Sequence, residues 1–191
     1  MYLVNDPKEL IPEGRKLIKY SASVVDVGCG YRPQEWLKAN MHVCVEPHPE
    51  YFKLLKKNYG NDPRFMLWDA SWDVLKSTVS DYVGLVIAVD FIEHLTRAQG
   101  LAFIKLAERL ATQQVAIFTP WGPYPQNYDD PNKLDLKGIP GLHWQTHKSA
   151  WTPDDFPGWD IVACKEYHRH DGNGNELDKP IGAFWAIKDL T

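Results

Sequence analysis

A chain of 191 residues with 44% hydrophobic and 24% charged residues has the size and composition of one folded domain and is too apolar for a disordered one. A net charge of −4 and a pI near 6.0 give no general electrostatic grip on nucleic acid or an anionic membrane, so neither is expected as a partner. No apolar run approaches the roughly 20 residues that span a bilayer. Acids interrupt the N-terminal stretch where a secretory signal would be apolar, and the three cysteines (Cys29, Cys44 and Cys164) are odd in number and far apart, so a reduced, cytoplasmic protein is expected.

Residues 23–28 (SVVDVG) form the first expected strand, an apolar run with one acid, Asp26, that breaks into Gly28-Cys29-Gly30. RPQEWLKAN (32–40) reads as a short helix with Pro33 in its first turn. MHVCVE (41–46) is the second strand, and Pro49 opens a helix in which Tyr51, Leu54, Leu55 and Asn58 keep helical spacing. RFMLWD (64–69) is the third strand, followed by a helix start at Ser71 and Asp73. The almost continuous apolar run 82–90 predicts a central parallel strand covered on both faces. Thr96 with Gln99 fits a capping box, and Leu95, Ala98, Leu101, Ala102, Ile104 and Leu110 mark the apolar face of the next helix. QQVAIFTP (113–120) is a fifth strand, stopped by Pro120. At the C-terminus, 159–170 and 181–189 are β-rich runs around an Asp/Gly/Asn-rich loop, which predicts a hairpin.

This alternation predicts an α/β fold: a doubly wound, Rossmann-like, mainly parallel sheet of seven strands ending in the antiparallel hairpin, in a single domain over 1–191. Residues 120–158 break the rhythm with repeated Pro and Gly and with Trp121, Trp144 and Trp151. A connection this long inside a compact domain is normally functional, and it is expected to cover a substrate. Within it, Thr152-Pro153-Asp154-Asp155 predicts one short helix.

Ligands of such sheets sit outside the carboxyl ends of the strands, near the point where strand order reverses. The residues there are Asp26, Gly28 and Gly30 in the first strand and Glu46 in the second, then Asp69 in the third and Asp90, followed by Phe91, Ile92 and Glu93, in the fourth. Each of the four ends carries an acid, with no Lys or Arg among them. A phosphate calls for backbone N–H groups plus a basic residue, as in G-x-x-x-x-G-K-[ST], which is absent. A pyrophosphate dinucleotide prefers G-x-G-x-x-G, and the third glycine position here is Pro33. Carboxylates suit a ligand with hydroxyl and amino donors and a positive charge, such as S-adenosylmethionine. Plainer roles exist for each residue: a tight turn at Gly28 and Gly30, a solvated strand end at Glu46, a helix cap at Asp90 and a first-turn residue at His94.

VVDVGCG, the acid of CVEP, the aspartate of LWDA and the segment VDFIEHL resemble, in order and spacing, the successive motifs of class I S-adenosylmethionine-dependent methyltransferases. Within that family they are most similar to small type 11-like members, with a D-x-x-E-H-[LV] signature after strand four. The resemblance covers roughly residues 20–120. It implies cofactor contacts from Asp26, Gly28, Cys29 and Gly30 around the methionine part, and from Glu46 with Pro47 at the ribose hydroxyls. It further implies Asp69 with Ala70 beside the adenine amino group, and Asp90 with Phe91 at the border between cofactor and substrate. Tyr31-Arg32-Pro33 departs from the family pattern, where Gly or small residues are common.

Methyl transfer from a sulfonium needs alignment, exclusion of water and, for a hydroxyl or ammonium acceptor, a base. GLHWQTHKSAWTPDDF resembles a segment that follows strand five in many type 11-like members, with Gln145, His147 and Trp151 as the matching residues. The base candidates are His147 and His143, then His94. Trp121, Tyr124, Trp144, Gln145 and Trp151 are the candidate acceptor contacts. The strand-four [DN]-P-P-[YFW] motif is absent, which speaks against nucleobase or glutamine methylation. The expected function is methyl transfer from S-adenosylmethionine to an oxygen or nitrogen of a small molecule. The alternatives are a non-catalytic cofactor-binding partner or scaffold, and a nucleotide-cofactor oxidoreductase with an atypical loop. No metal is expected, because the pairs His143/His147 and His168/His170 lie on different elements and no C-x-x-C or H-E-x-x-H occurs.

Overall fold

The computed structural model describes residues 1–78, 83–128, 130, 132–135 and 138–190. Its strands are β1 (Tyr2–Leu3), β2 (Ser23–Val27), β3 (Met41–Val45), β4 (Phe65–Trp68), β5 (Val83–Val89), β6 (Ala111–Trp121), β7 (Asp160–His170) and β8 (Glu176–Asp189). They form one sheet in the order β1-β7-β8-β6-β5-β2-β3-β4. All neighbours pair parallel except β8, which runs antiparallel between β6 and β7. The seven expected strands are present, and the two-residue β1 adds an edge beside β7. The expected start of the fourth strand at Tyr82 lies outside the described residues. From β2 the chain winds outward through β3 and β4, then returns to lay β5 on the other side of β2. The carboxyl ends of β2 and β5 therefore meet at the switch point of the topology, where such sheets hold ligands.

Among the described residues there are four α-helices: α1 (Pro7–Leu17), α2 (Pro49–Tyr59), α3 (Leu75–Thr78) and α4 (Arg97–Leu110). Side chains alternate across the strands. Val25, Val27, Val86, Ala88, Val115 and Ile117 join Phe103, Leu106 and Ala107 of α4 in one core. Val24, Leu85, Ile87, Ala116 and Phe118 join Leu10 of α1 and Trp185 of β8 in the other.

The structure corrects four local expectations and adds one helix. Residues 32–40 form turns, not a helix. Their backbone bonds run elsewhere: Gln34 N–H donates to Asp26 Oδ2 (2.8 Å), and the N–H groups of Asn40 and Met41 both donate to the Ala22 carbonyl. Leu37 and Ala39 are buried at the two-residue spacing of extended chain. Conversely, α1 was not read from the sequence, although Asp6 caps it through Lys8 N–H and Pro7 occupies its first turn. Gly14 on α1 admits the indole of Trp185, since a Cβ there would lie 2.1 Å from Trp185 Cδ1.

The buried face of α4 is Gly100, Phe103, Ile104, Leu106, Ala107 and Leu110; Ala98, Leu101 and Ala102 are exposed. The face is turned because Gly100 receives the Trp151 ring, and a Cβ would approach Trp151 Cζ2 to 2.3 Å. β6 continues through Pro120 to Trp121. Phe118 carbonyl accepts Asp90 N–H, so the missing N–H of Pro120 points to the side where β5 has already ended. Finally, β8 begins at Glu176, ahead of the expected 181, because the Asp171 carboxylate accepts the N–H groups of Asn173 and Asn175 and closes a tight turn. Among the described residues no helix is long and apolar enough to cross a membrane.

Candidate active site

At the switch point lies a cavity of about 270 Å³. The end of β2 contributes Gly28, Cys29 and Gly30, the end of β3 contributes Glu46 and Pro47, and α2 contributes His48 as its cap and Tyr51. Ser71, Trp72, Asp90, Phe91, His94 and Leu95 continue the wall, and Trp144, Gln145 and Lys148 close it from the segment joining β6 to β7. Gly28 and Gly30 are both left-handed (φ 67° and 62°), as only glycine readily is. A Cβ on Gly28 would strike the Phe91 ring at 2.4 Å, whereas one on Gly30 would meet no heavy atom within 4 Å. The loop thus presses against Phe91 on one side and opens to free space on the other.

Glu46 is the most constrained acid of this wall. It is buried, and its Oε2 accepts Gly30 N–H (2.8 Å) while its Oε1 accepts His48 N–H (2.7 Å). Burial pushes its carboxyl up to about 7, although those two N–H groups act to lower it. Asp90 has a left-handed backbone (φ 48°), the one such non-glycine among the described residues, and strain of this kind clusters at functional sites. Its side chain is open to the cavity yet surrounded by protein on most sides, and that desolvation raises its carboxyl to about 6. The Cys29 thiol is held well above its ordinary range, first by its hydrogen bond with Cys44 and then by burial, so it is no nucleophile.

The turn after Asp90 brings three further groups together. Glu93 is buried and accepts Thr119 Oγ1–H at 3.0 Å. His94 donates from Nδ1 to the Thr146 carbonyl (3.3 Å), and its ring meets that of His147 edge-on at 4.9 Å. Burial lowers His94 to about 4 and His147 to about 3, so both are neutral imidazoles at physiological pH.

Residues 122–159 are fastened to the cavity wall at several points. His48 Nε2 donates to the Gly141 carbonyl (3.2 Å), the Tyr51 hydroxyl donates to Asp135 Oδ2 (3.1 Å), and the Glu93 carbonyl accepts Lys148 and Ser149 N–H. Arg97 pairs with Asp155 and lies 3.9 Å over the Trp151 ring. A second cavity of about 340 Å³, lined by Tyr31, Tyr128, Lys133, Leu142 and others, shares Tyr51 and Gln145 with the first.

No protein-family model and no curated relative matches this sequence. The structure is similar to solved structures over nearly its whole length. The N-terminal domain of EvdMO1 with SAH bound superposes with a TM-score of 0.62 at 10% identity, covering 99% of this chain and 83% of that one. The methyltransferase domain of bacterial CtHen1-C gives 0.59 at 17% identity, covering 96% and 97%. TehB from Haemophilus influenzae gives 0.58 at 15% identity, where this chain is matched over 93% of its length but spans only 61% of TehB. The fold is that of the class I S-adenosylmethionine-dependent methyltransferases.

Within this methyltransferase fold the residues read from the sequence fall into two groups. Gly28, Cys29, Gly30, Glu46, Pro47, Asp90, Phe91, His94, Trp144 and Gln145 line the one cavity. Asp26 does not: it lies under the 31–40 turns, where its Oδ2 takes Gln34 N–H and His42 Nε2 (3.2 Å) and its Oδ1 is buried without a partner. Asp69 is exposed and Ala70 half-buried, and Ser71 and Trp72 stand at the wall in their place. Trp151 is fully buried core, and Trp121 lines a separate cleft with Lys165 and Ile181. Tyr124 donates to the His170 carbonyl, and its ring is tilted 41° to that of His147 at 5.3 Å; His147 stands behind His94 outside the cavity lining. His143 is exposed and off the cavity. His48, Tyr51, Trp72 and Lys148 were missed. His48 directly before Pro49 carries a helix-cap signal, whereas Lys148 comes near only through the long connection.

Proposed function

We propose that this chain transfers a methyl group from S-adenosylmethionine to an oxygen or nitrogen of a small molecule held under residues 120–158. The observation that carries this reading is Glu46, a buried carboxylate fixed by Gly30 and His48 N–H on the cavity wall at the switch point of a methyltransferase fold. The EvdMO1 domain with bound SAH shares that fold. Glu46 would accept the two ribose hydroxyls, the left-handed Gly28–Gly30 loop would lie along the methionine part, and Trp72 and Leu95 would flank the adenine. The cofactor supplies a methyl group already activated on a sulfonium. The chain supplies alignment and exclusion of water, for which Trp144, Gln145 and Lys148 close the cavity.

The adjoining 340 Å³ cavity is the proposed seat of the acceptor, because Tyr51 and Gln145 belong to both spaces. For the proton leaving the acceptor, Asp90 is better matched than the histidines. It opens to the cavity and titrates near 6, whereas His94 near 4 and His147 near 3 are weak bases. The test is calorimetry with S-adenosylmethionine, its demethylated product SAH and NAD(P). Binding of the first two alone supports the proposal; binding of NAD(P) alone would replace it with an oxidoreductase. Asp90→Asn is expected to leave SAH affinity within a few fold while lowering turnover roughly 10²–10⁴-fold.

A further inference from the structure

Behind the cavity wall lies a buried carboxyl group that has no cation to balance it. Glu93 is almost fully enclosed, and among the described residues no Lys or Arg forms an ion pair with it. Its neighbour on the same turn, Asp90, is a further acid that acts on it electrostatically. A buried carboxyl is stable only when it is protonated, paired or bound to a metal, so a bound cation is what would keep Glu93 ionised here. Two imidazoles stand within reach. One donor atom each from Glu93, His94 and His147 lies within 4.8 Å of the others.

The surrounding bonds orient these donors. His94 Nδ1 lies 3.3 Å from the Thr146 carbonyl, and the tautomer that donates there leaves Nε2 with its lone pair, the arrangement usual for a ligating histidine. Glu93 Oε2 is held by Thr119. The Glu93 carbonyl takes Lys148 and Ser149 N–H, and His147 N–H donates to the Gln126 carbonyl. The segment carrying His147 is thereby anchored beside the turn that carries Glu93 and His94.

We propose that Glu93, His94 and His147 hold one divalent transition-metal ion beside the first cavity, which His94 alone of the three lines. Two imidazoles and a carboxylate suit Mn²⁺, Fe²⁺, Co²⁺ or Zn²⁺ and disfavour Ca²⁺ and Mg²⁺, which seek all-oxygen shells. Three protein ligands leave positions open for water or an acceptor oxygen. Resting on the methyl-transfer reading, the site also narrows the acceptor to a hydroxyl compound. A divalent ion beside a hydroxyl lowers its pKa. The O–H proton then passes to Asp90, the oxygen forms the new C–O bond, and the S–CH₃ bond breaks with its electron pair left on sulfur.

The test is titration of the untagged full chain with Mn²⁺, following the free-ion EPR signal, with Zn²⁺ as competitor and SAH affinity measured on the same samples. We expect one Mn²⁺ per chain, displaced by Zn²⁺, with affinity at least about tenfold lower in His147→Ala and in Glu93→Gln and unchanged in the exposed His143→Ala. Far-UV circular dichroism confirms that each variant is folded, and His147→Ala, on a surface segment, keeps the test valid where Glu93→Gln does not fold. Absence of Mn²⁺ and Zn²⁺ uptake by the native chain, or uptake that His147→Ala leaves intact, overturns the metal site even where SAH binds. Metal uptake without SAH binding supports the site and removes the methyl-transfer reading instead.

Discussion

Glu46 is the residue on which the cofactor assignment turns, and its environment sets two measurable consequences. A hydrogen bond to a charged group contributes roughly 1.5–3 kcal/mol, so Glu46→Gln should weaken SAH binding about 10- to 100-fold. The carboxylate must also be ionised to accept both hydroxyls. With its folded pKa near 7, SAH affinity should rise about tenfold between pH 6 and pH 8, and Glu46→Gln should flatten that rise. The stability of the ligand-free chain moves the opposite way. The folded carboxyl keeps its proton from the ordinary value of 4.5 up to about 7 while the unfolded one loses it, so Glu46 costs stability as pH rises through this window. Urea midpoints of Glu46→Gln should therefore gain on the native chain from pH 5 to pH 8, by on the order of 3 kcal/mol at most. Gly28, Gly30, Glu46 and Asp90 were legible because strand ends are readable from hydrophobic runs. Trp151 was not, because an aromatic in a Pro/Gly-rich segment gives no sign that a glycine on a distant helix will receive it.

At the scale of elements, α4 shows what periodicity can and cannot find. Its capping box was read correctly, since Thr96 and Gln99 exchange the bonds that define one. Its apolar face was misplaced because Gly100 counts as nothing on a hydrophobicity scale yet forms the centre of the contact with Trp151. This yields a test with opposed signs. On an exposed helix, Gly→Ala stabilises by up to about 1 kcal/mol. At Gly100 the added methyl would meet Trp151 at 2.3 Å, and overpacking of this kind costs about 1–3 kcal/mol. Chemical denaturation of Gly100→Ala should show a net loss of stability, and a gain would mean that Trp151 does not pack there. The turns at 31–40 were read as a helix for a related reason. Their backbone is satisfied by Asp26 and the Ala22 carbonyl, long-range partners that local propensity does not register.

Over the whole molecule, the doubly wound order and the antiparallel return of β8 followed from the alternation of runs and the C-terminal hairpin. The N-terminal helix and edge strand did not, because α1 carries Pro12 and Gly14 inside it, two residues that interrupt a helical reading despite the cap at Asp6, Pro7 in the first turn, Glu9 near the start and Arg15 and Lys16 near the end. The path of residues 122–159 was also beyond reach of the sequence. Its attachment through His48–Gly141 and Tyr51–Asp135 closes the cavity and brings His147 to Glu93. Ligand binding across such a joint should stabilise the chain as a unit. SAH at 100 times its dissociation constant adds about 2.7 kcal/mol, which should raise Tm by roughly 5–10 °C in a chain of this size.

The most direct measurement is a calorimetric titration of the native chain and Glu46→Gln with SAH at pH 8, with NAD(P) titrated in parallel. The predicted result is one SAH per native chain, affinity reduced at least tenfold by Glu46→Gln, and no heat from NAD(P). No binding of SAH, or SAH binding that Glu46→Gln leaves unchanged, would contradict the placement of the cofactor at this wall.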